Sequence, residues 1–200
     1  MESTDKEIII SIVENAFAEN PRLKTMAKKN REHASIRGMT KYAYNLIKKF
    51  DGVYLSKDKT TVLFYYLKSD YKMTFRDYLK YAWMYVTCLK YSQFIPTLKR
   101  EKKIVSLRPD IPDYIYVWIL GSVPNNKTFD GLADIRNHLF GLSEKLDLPI
   151  IIETVIEKVI RLYKYVGFEI YHEWYDKDAD LNVWFLKRGD IGDYIEKGSD

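Results

Sequence analysis

The sequence is short of several things, and each shortage removes a class of function. It has one cysteine, Cys88, so no disulfide can close within the chain, and such usage fits a reducing compartment. Its three histidines, His33, His138 and His172, are scattered without ligand spacing, so no metal site can be read. No apolar run approaches the length of a membrane span, and the opening MESTDKEIII lacks the basic-then-apolar order of a signal peptide. An excess of one charge is also missing: 32 basic residues against 28 acidic ones leave a net charge of +4. The basic clusters KREKK (99–103) and KKNRE (28–32) each include an acid and read as solvated faces, which argues against a nucleic-acid partner. Asn126-Lys127-Thr128 has the form of a glycosylation triplet, but nothing else points to secretion. No internal repeat or low-complexity tract is present. The expectation is a soluble, cytoplasmic protein with no nucleic-acid and no membrane partner.

What the chain does have is core material. Two hundred residues, 46% hydrophobic and 15% aromatic, suit one domain with a buried core. The first half reads as helical. Ser3, Thr4 and Asp5 are N-cap candidates for 5–20, where Ile8, Ile12 and Ala16 recur at helical spacing and Asn20-Pro21 stops the run. A second helical region covers 22–50, with Met39, Tyr42, Ala43, Leu46 and Ile47 on one face and Gly38 as the expected break. The period then changes: VYLS (53–56) and TTVLFYYLK (60–68) read as an antiparallel hairpin. Residues 74–95 read as one long helix ended by Pro96, with Phe75, Leu79, Ala82, Val86 and Leu89 along one path. Its Tyr78, Trp83 and Tyr85 either wall an acceptor pocket or pack as ordinary core. The polar segment 97–113 leads into the next strand.

From 114 onward the pattern alternates. It runs strand 114–123, helix 130–146, strand 148–154, helix 156–166, and strands 168–174 and 181–188 joined by the turn YDKDAD. A mixed α/β layered fold follows. The stretch 125-NNKTFDGLADIRNHLF-140 is a loop with glycine opening a helix, a place where backbone N–H groups can hold a phosphate. Asp130 puts a negative charge in that loop, and would serve as a cap if it turned back on the helix.

The order of these elements, with three local patterns, resembles the GCN5-related N-acetyltransferase (GNAT) superfamily, and upstream stretches are similar to its small bacterial members. Thr128-x-x-Gly131-x-Ala133 stands where that family has its Q/R-x-x-G-x-G/A pyrophosphate loop, with Thr128 in place of the Gln or Arg. Glu153-Thr154 on the next strand, then Tyr163 and Gly167-Phe168, match the family's E-T and Y-x-x-x-G-F patterns. The closing NVWFLKR matches its last strand, whereas the usual first strand is missing. The resemblance implies a GNAT-like α/β fold, with a mixed, mostly antiparallel sheet flanked by helices and an expanded helical N-terminal half. It implies one domain over 1–200, comprising an acceptor-side half (1–110) and a cofactor-binding core (111–188).

It further implies transfer of an acetyl group from acetyl-CoA, the acyl donor, to an amine acceptor, a small molecule or a protein, by direct attack in a ternary complex. No metal is implied, and the protein is expected as a monomer or homodimer. Cofactor contacts fall on Leu120, Gly121, Ser122 and Val123 of the strand and on Thr128, Phe129, Asp130, Gly131, Leu132 and Ala133 of the loop. Tyr163 is the expected general acid, its alternative being a packed aromatic. Glu153 is either a general base or a structural hydrogen-bonding group, with a water chain able to replace it as base. The competing reading is a GNAT-fold acyl-CoA sensor or scaffold that has lost turnover.

Overall fold

The computed structural model describes residues 3–124, 126 and 128–192; Asn125 and Lys127, the latter in the glycosylation triplet, lie outside them. Three helices open the chain: α1 (Ser3–Phe17), α2 (Pro21–Met26) and α3 (Glu32–Ile47). A hairpin of β1 (Val53–Leu55) and β2 (Thr61–Leu67) follows, then α4 (Phe75–Cys88) and α5 (Phe94–Ser106). The remainder alternates: β3 (Ile115–Ser122), α6 (Asp130–Leu146), β4 (Ile150–Thr154), α7 (Glu157–Tyr165), β5 (Glu169–Asp176) and β6 (Leu181–Arg188).

All six strands join one sheet in the order β1-β2-β3-β4-β6-β5. Only β3 and β4 run parallel; the other neighbours are antiparallel. Helices cover both faces, which is why the central strands are apolar on both sides rather than alternating. On one face Ile9, Ile12 and Val13 of α1 and Ala43, Tyr44 and Ile47 of α3 pack on Val62, Phe64, Tyr116 and Ile151. On the other, Ile135 and Leu139 of α6 and Ile160 of α7 pack on Leu63, Val117, Ile152 and Leu186. Each such fully buried aliphatic side chain contributes about 1.5–3 kcal/mol relative to exposure.

Three local expectations need correction. The second helical region breaks at 27–31 and not at Gly38, which lies inside α3. Gly38 is needed for packing, since a Cβ there would stand 2.4 Å from Cys88 Sγ. The long helix 74–95 is two helices, because Leu89 turns extended (φ −94°, ψ 152°) and bridges Ala27. Pro96 does not end a helix; it sits in the first turn of α5, where its missing N–H has no helical partner to lose. Much of the segment 97–113 is therefore helical.

Candidate active site

The site is built where the sheet opens. β3 pairs with β2 along its whole length, from Ile115↔Leu67 to Ser122↔Thr61. On its other edge it meets β4 only at Ile115, Tyr116 and Val117, opposite Ile150, Ile151 and Ile152. Beyond Val117, β4 continues alongside β6 through Glu153 and Thr154. The edge of β3 from Trp118 to Ser122 therefore has no neighbouring strand among the described residues. A bulge marks the parting: Phe64 faces Ile119 and Tyr65 faces Val117, which leaves Trp118 as the extra residue. A bulge bends the strand and strengthens its twist, which here carries β3 away from β4. The result is an opening beside β3. Backbone groups alternate sides along a strand, so Leu120 and Ser122 turn theirs to the opening, whereas Gly121 and Val123 face β2, Val123 N donating to Thr60 O at 2.9 Å. On the sheet face, α1 closes over Gly121, whose Cβ position lies 3.3 Å from Ala16 Cβ.

The end of β3 leads into α6. Its N-cap, Phe129, makes no side-chain capping bond, and the first N–H with a helical acceptor is that of Ala133, bonded to Phe129 O at 2.8 Å. The preceding N–H groups of the first turn, with the positive end of the helix dipole, are available to an anion. Asp130 does not turn back to cap them; Thr128, Phe129 and Asp130 are all exposed, while Leu132 and Ala133 are half-buried.

Gly131 is used differently from the expectation that its bare backbone faces a pyrophosphate. It is buried, and a Cβ would stand 2.4 Å from Thr60 Oγ1, 2.6 Å from Thr61 Oγ1 and 2.9 Å from Asp58 Oδ1. The space that glycine leaves is taken by the turn of the β1–β2 hairpin. Two more residues on the same face of α6 extend this contact. Asp134 accepts from Lys57 N at 2.9 Å and Tyr54 hydroxyl at 3.2 Å, and His138 stacks on the Tyr54 ring at 3.8 Å. Asp58 itself accepts from the hydroxyls of Ser56 and Thr60 and from Thr60 N, and these bonds, that from Ser56 foremost, hold its carboxyl below the usual range. A second carboxylate thus stands beside the helix start, one that the loop sequence gives no sign of. Gly131→Val should push the hairpin turn away and lose about 1–3 kcal/mol of stability by overpacking, read as a lower urea midpoint. A midpoint within error of wild type would show that the hairpin gives way freely.

Tyr163 lies in the last turn of α7. The helix ends at Gly167, whose φ of +89° a side chain would strain, so that Phe168 N reaches back to Tyr163 O at 3.0 Å. Phe168 then meets the Tyr163 ring edge-on at 5.5 Å between centroids. The Gly-Phe pair therefore fixes where the tyrosine ring stands, on the same face of the sheet as Val117 and Ile152. The residue is half-buried, and its hydroxyl makes no hydrogen bond among the described residues. Burial of the phenol pushes its pKa up to about 12, so it keeps its proton at neutral pH.

Glu153 faces the other side and is fully engaged. Arg108 donates to it twice, Nε at 2.6 Å and Nη2 at 3.3 Å, and the Tyr116 hydroxyl donates at 2.7 Å. The guanidinium carbon of Arg108 lies 3.8 Å over the Tyr116 ring, and its Nη1 donates to Tyr66 hydroxyl at 3.1 Å. Those interactions raise the Arg108 pKa well above normal against the opposing cost of burial. This is the structural use of Glu153 considered above. Arg108 escaped the sequence reading because its partners lie 45, 42 and 8 residues away, and nothing local to Leu107-Arg108-Pro109 marks it.

Of the aromatics on α4, Tyr85 is core, at 5% exposure. Tyr78 and Trp83 are not packed away: they are 57% and 70% exposed. Trp83 lines a cleft of about 460 Å³ between α3 and α4, together with Tyr42, Asp77 and Leu79. A second, more open groove of about 740 Å³ lies between α6 and α7, beside Arg136, Phe140 and Tyr165.

No family model matches the sequence, and no curated protein matches it by sequence. Solved structures do match the fold. A histone acetyltransferase and related acetyltransferase from Corynebacterium glutamicum superposes with a TM-score of 0.65 at 14% identity, over 98% of this chain and 96% of that one. The C-terminal condensation domain of Ebony, in complex with β-alanyl-dopamine, gives 0.66 at 6% identity, over 94% and 95%. An agmatine N-acetyltransferase gives 0.55 at 10% identity, over 94% and 95%. The open mixed sheet with helices on both faces is thus shared with acetyltransferases of known structure. The fold is GNAT-like, a six-stranded open sheet flanked by helices.

Proposed function

We propose that the protein transfers an acetyl group from acetyl-CoA to an amine. The observation that carries this is the parting of β3 from β4 at the Trp118 bulge, with an uncapped helix start directly downstream. Backbone groups of Leu120 and Ser122 suit a pantetheine arm, which carries amides and needs a strand edge rather than particular side chains; Gly121 and Val123, expected to share that role, turn their backbone to β2 instead. The first-turn N–H groups of α6, from Phe129 to Leu132, suit its diphosphate. The superposed structures include one named for an amine, agmatine, and one holding an amine-derived ligand, β-alanyl-dopamine. Both support an amine as the acceptor class.

In the reaction the amine nitrogen forms a bond to the thioester carbonyl carbon, and the carbon–sulfur bond then breaks. A backbone N–H on the open edge of β3 stabilises the oxyanion. Tyr163 donates its phenol proton toward the departing sulfur. The low-dielectric surroundings that hold that phenol neutral also disfavour a free thiolate, so proton donation there lowers the barrier. The amine proton leaves through water, since Glu153 is committed to Arg108 and Tyr116.

A second reading, binding without turnover, is favoured by one observation. Asp58 and Asp130 place two carboxylates at the α6 start, where a diphosphate would sit. Calorimetric titration with acetyl-CoA tests the binding shared by both readings. Saturable binding, tightened in Asp130→Asn by removal of a like charge, is the expected result. Absence of heat at millimolar cofactor would overturn both. Binding with no acetylation across a panel of amines would leave the sensor.

A further inference from the structure

The large apolar side chains left exposed are concentrated on one part of the fold. On α4, Phe75, Tyr78, Leu79, Trp83 and Val86 follow each other at helical spacing and are all more than half exposed. On α5, Ile95, Leu98 and Val105 also recur at helical spacing, 60%, 44% and 57% exposed, and Tyr91 stands exposed between the two helices. These helices do bury their inner faces, through Tyr85 against Phe94 and Tyr81 against Glu101. Their exposed stripes are therefore second apolar faces, with nothing among the described residues to cover them. Contiguous exposed apolar surface of this kind marks an interaction site.

Charge says what covers it. From Lys72 to Arg108 the chain has nine lysines and arginines against two acids, a local net charge of +7 in a chain of +4, leaving −3 for everything else. Lys72, Arg76, Lys80, Lys99 and Lys102 are exposed beside the stripes. Neither acid faces out: Asp77 is buried and bonded to Lys49 and Thr74, and half-buried Glu101 takes the Tyr81 hydroxyl. The flanking exposed acids, Asp70 and Asp110, lie outside both helices.

We propose that α4 and α5 dock on an anionic lipid surface, with their apolar stripes in the headgroup–acyl boundary and their lysines and arginine at the headgroups. Apolar residues flanked by basic ones, with Trp, Tyr and Phe among them, are what such a surface selects. A second copy in a twofold contact would set five exposed cations against the same five, with no exposed acid to offset them. Nucleic acid would meet the cations but leave the stripes wet. The surface also has depth, because Leu79 and Trp83 form one wall of the cleft between α3 and α4. No described helix is long and apolar enough to cross a membrane, so the association is peripheral. It revises the expectation of no membrane partner and is independent of the acetyl-transfer reading.

The test is co-sedimentation of the full chain with phosphatidylcholine vesicles, with and without phosphatidylglycerol. Binding is expected only with the anionic lipid and is weakened by salt. Lys80→Gln and Lys99→Gln should each lower partitioning about fivefold. Phe75→Ser with Trp83→Ser should abolish it while leaving the thermal midpoint unchanged, since both side chains are exposed. The proposal is overturned if wild type stays in the supernatant, or if the serine variant binds equally. It is overturned also by self-association that Trp83→Ser dissolves, which would give the face to a second copy. Capture of polyglutamate without capture of vesicles would likewise overturn it, in favour of an acidic protein.

Discussion

Tyr163→Phe should lose on the order of 10²–10⁴ in turnover and almost nothing in stability or cofactor affinity. The substitution removes one oxygen that makes no hydrogen bond among the described residues, so folding has no bond there to lose. The ring keeps its edge-on contact with Phe168, and Gly167 keeps the helix end that holds it. What is lost is the phenol proton that the proposed mechanism sends to the departing sulfur. The phenol pKa, pushed up to about 12 by burial, adds a sign to the prediction. Wild-type turnover should show no decline attributable to Tyr163 below pH 10, because the proton stays on until the pH nears 12. Single-turnover acetylation across pH, for wild type and Tyr163→Phe, checks both parts. A variant as fast as wild type would take Tyr163 out of the mechanism. A lowered thermal midpoint with unchanged turnover would make it a packing residue.

Element order and type were legible because the strands of this sheet are short apolar runs punctuated by polar turns, and the helices carry clear 3.6 periodicity. The hairpin at 53–67 and the alternation after 114 stand close to where period and turn chemistry put them. Two of the failures share a cause: a tertiary contact overrode a local signal. Gly38 breaks nothing, because α3 needs its bare backbone against Cys88. The helix expected to run through 74–95 stops early, because Leu89 pairs with Ala27, 62 residues upstream. Pro96 reads as a stop and acts as a start, a distinction that depends on which side of the proline the helix lies. At the site the motifs singled out segments without revealing what packs against them. Gly131 was legible as a glycine needed for close approach, but the approaching groups are Asp58, Thr60 and Thr61, in the hairpin. The bulge at Trp118, which opens the sheet, has no signature in YIYVWILGS, since it arises only in register with β2.

Glu153→Gln should cost roughly 3–5 kcal/mol of stability and leave the turnover of the folded fraction nearly unchanged. The carboxylate and Arg108 are a buried pair, their side chains 9% and 13% exposed. Neutralising Glu153 leaves the guanidinium with the Tyr66 hydroxyl and the Tyr116 ring, which supply no counter-charge. Arg108→Met should cost a similar amount for the converse reason, with Glu153 retaining only the Tyr116 hydroxyl. Combining the two should restore much of the loss, because a buried pair replaced on both sides leaves no unpaired charge. That coupling is the signature of an ion pair, measurable as urea unfolding of the four proteins in a double-mutant cycle. A general base behaves otherwise. If Glu153 took the amine proton, Glu153→Gln would lose turnover by orders of magnitude, and Arg108→Met/Glu153→Gln would stay inactive however stable it became. The structure favours the ion pair because the three bonds on Glu153 connect segments far apart in the chain. Arg108 follows α5, Tyr116 lies on β3 and Glu153 ends β4. The cluster ties β3 to β4 just before they part, so its loss should widen the opening along the edge proposed to bind the donor. Glu153→Gln should therefore also weaken acetyl-CoA binding in calorimetry, whereas Tyr163→Phe should not.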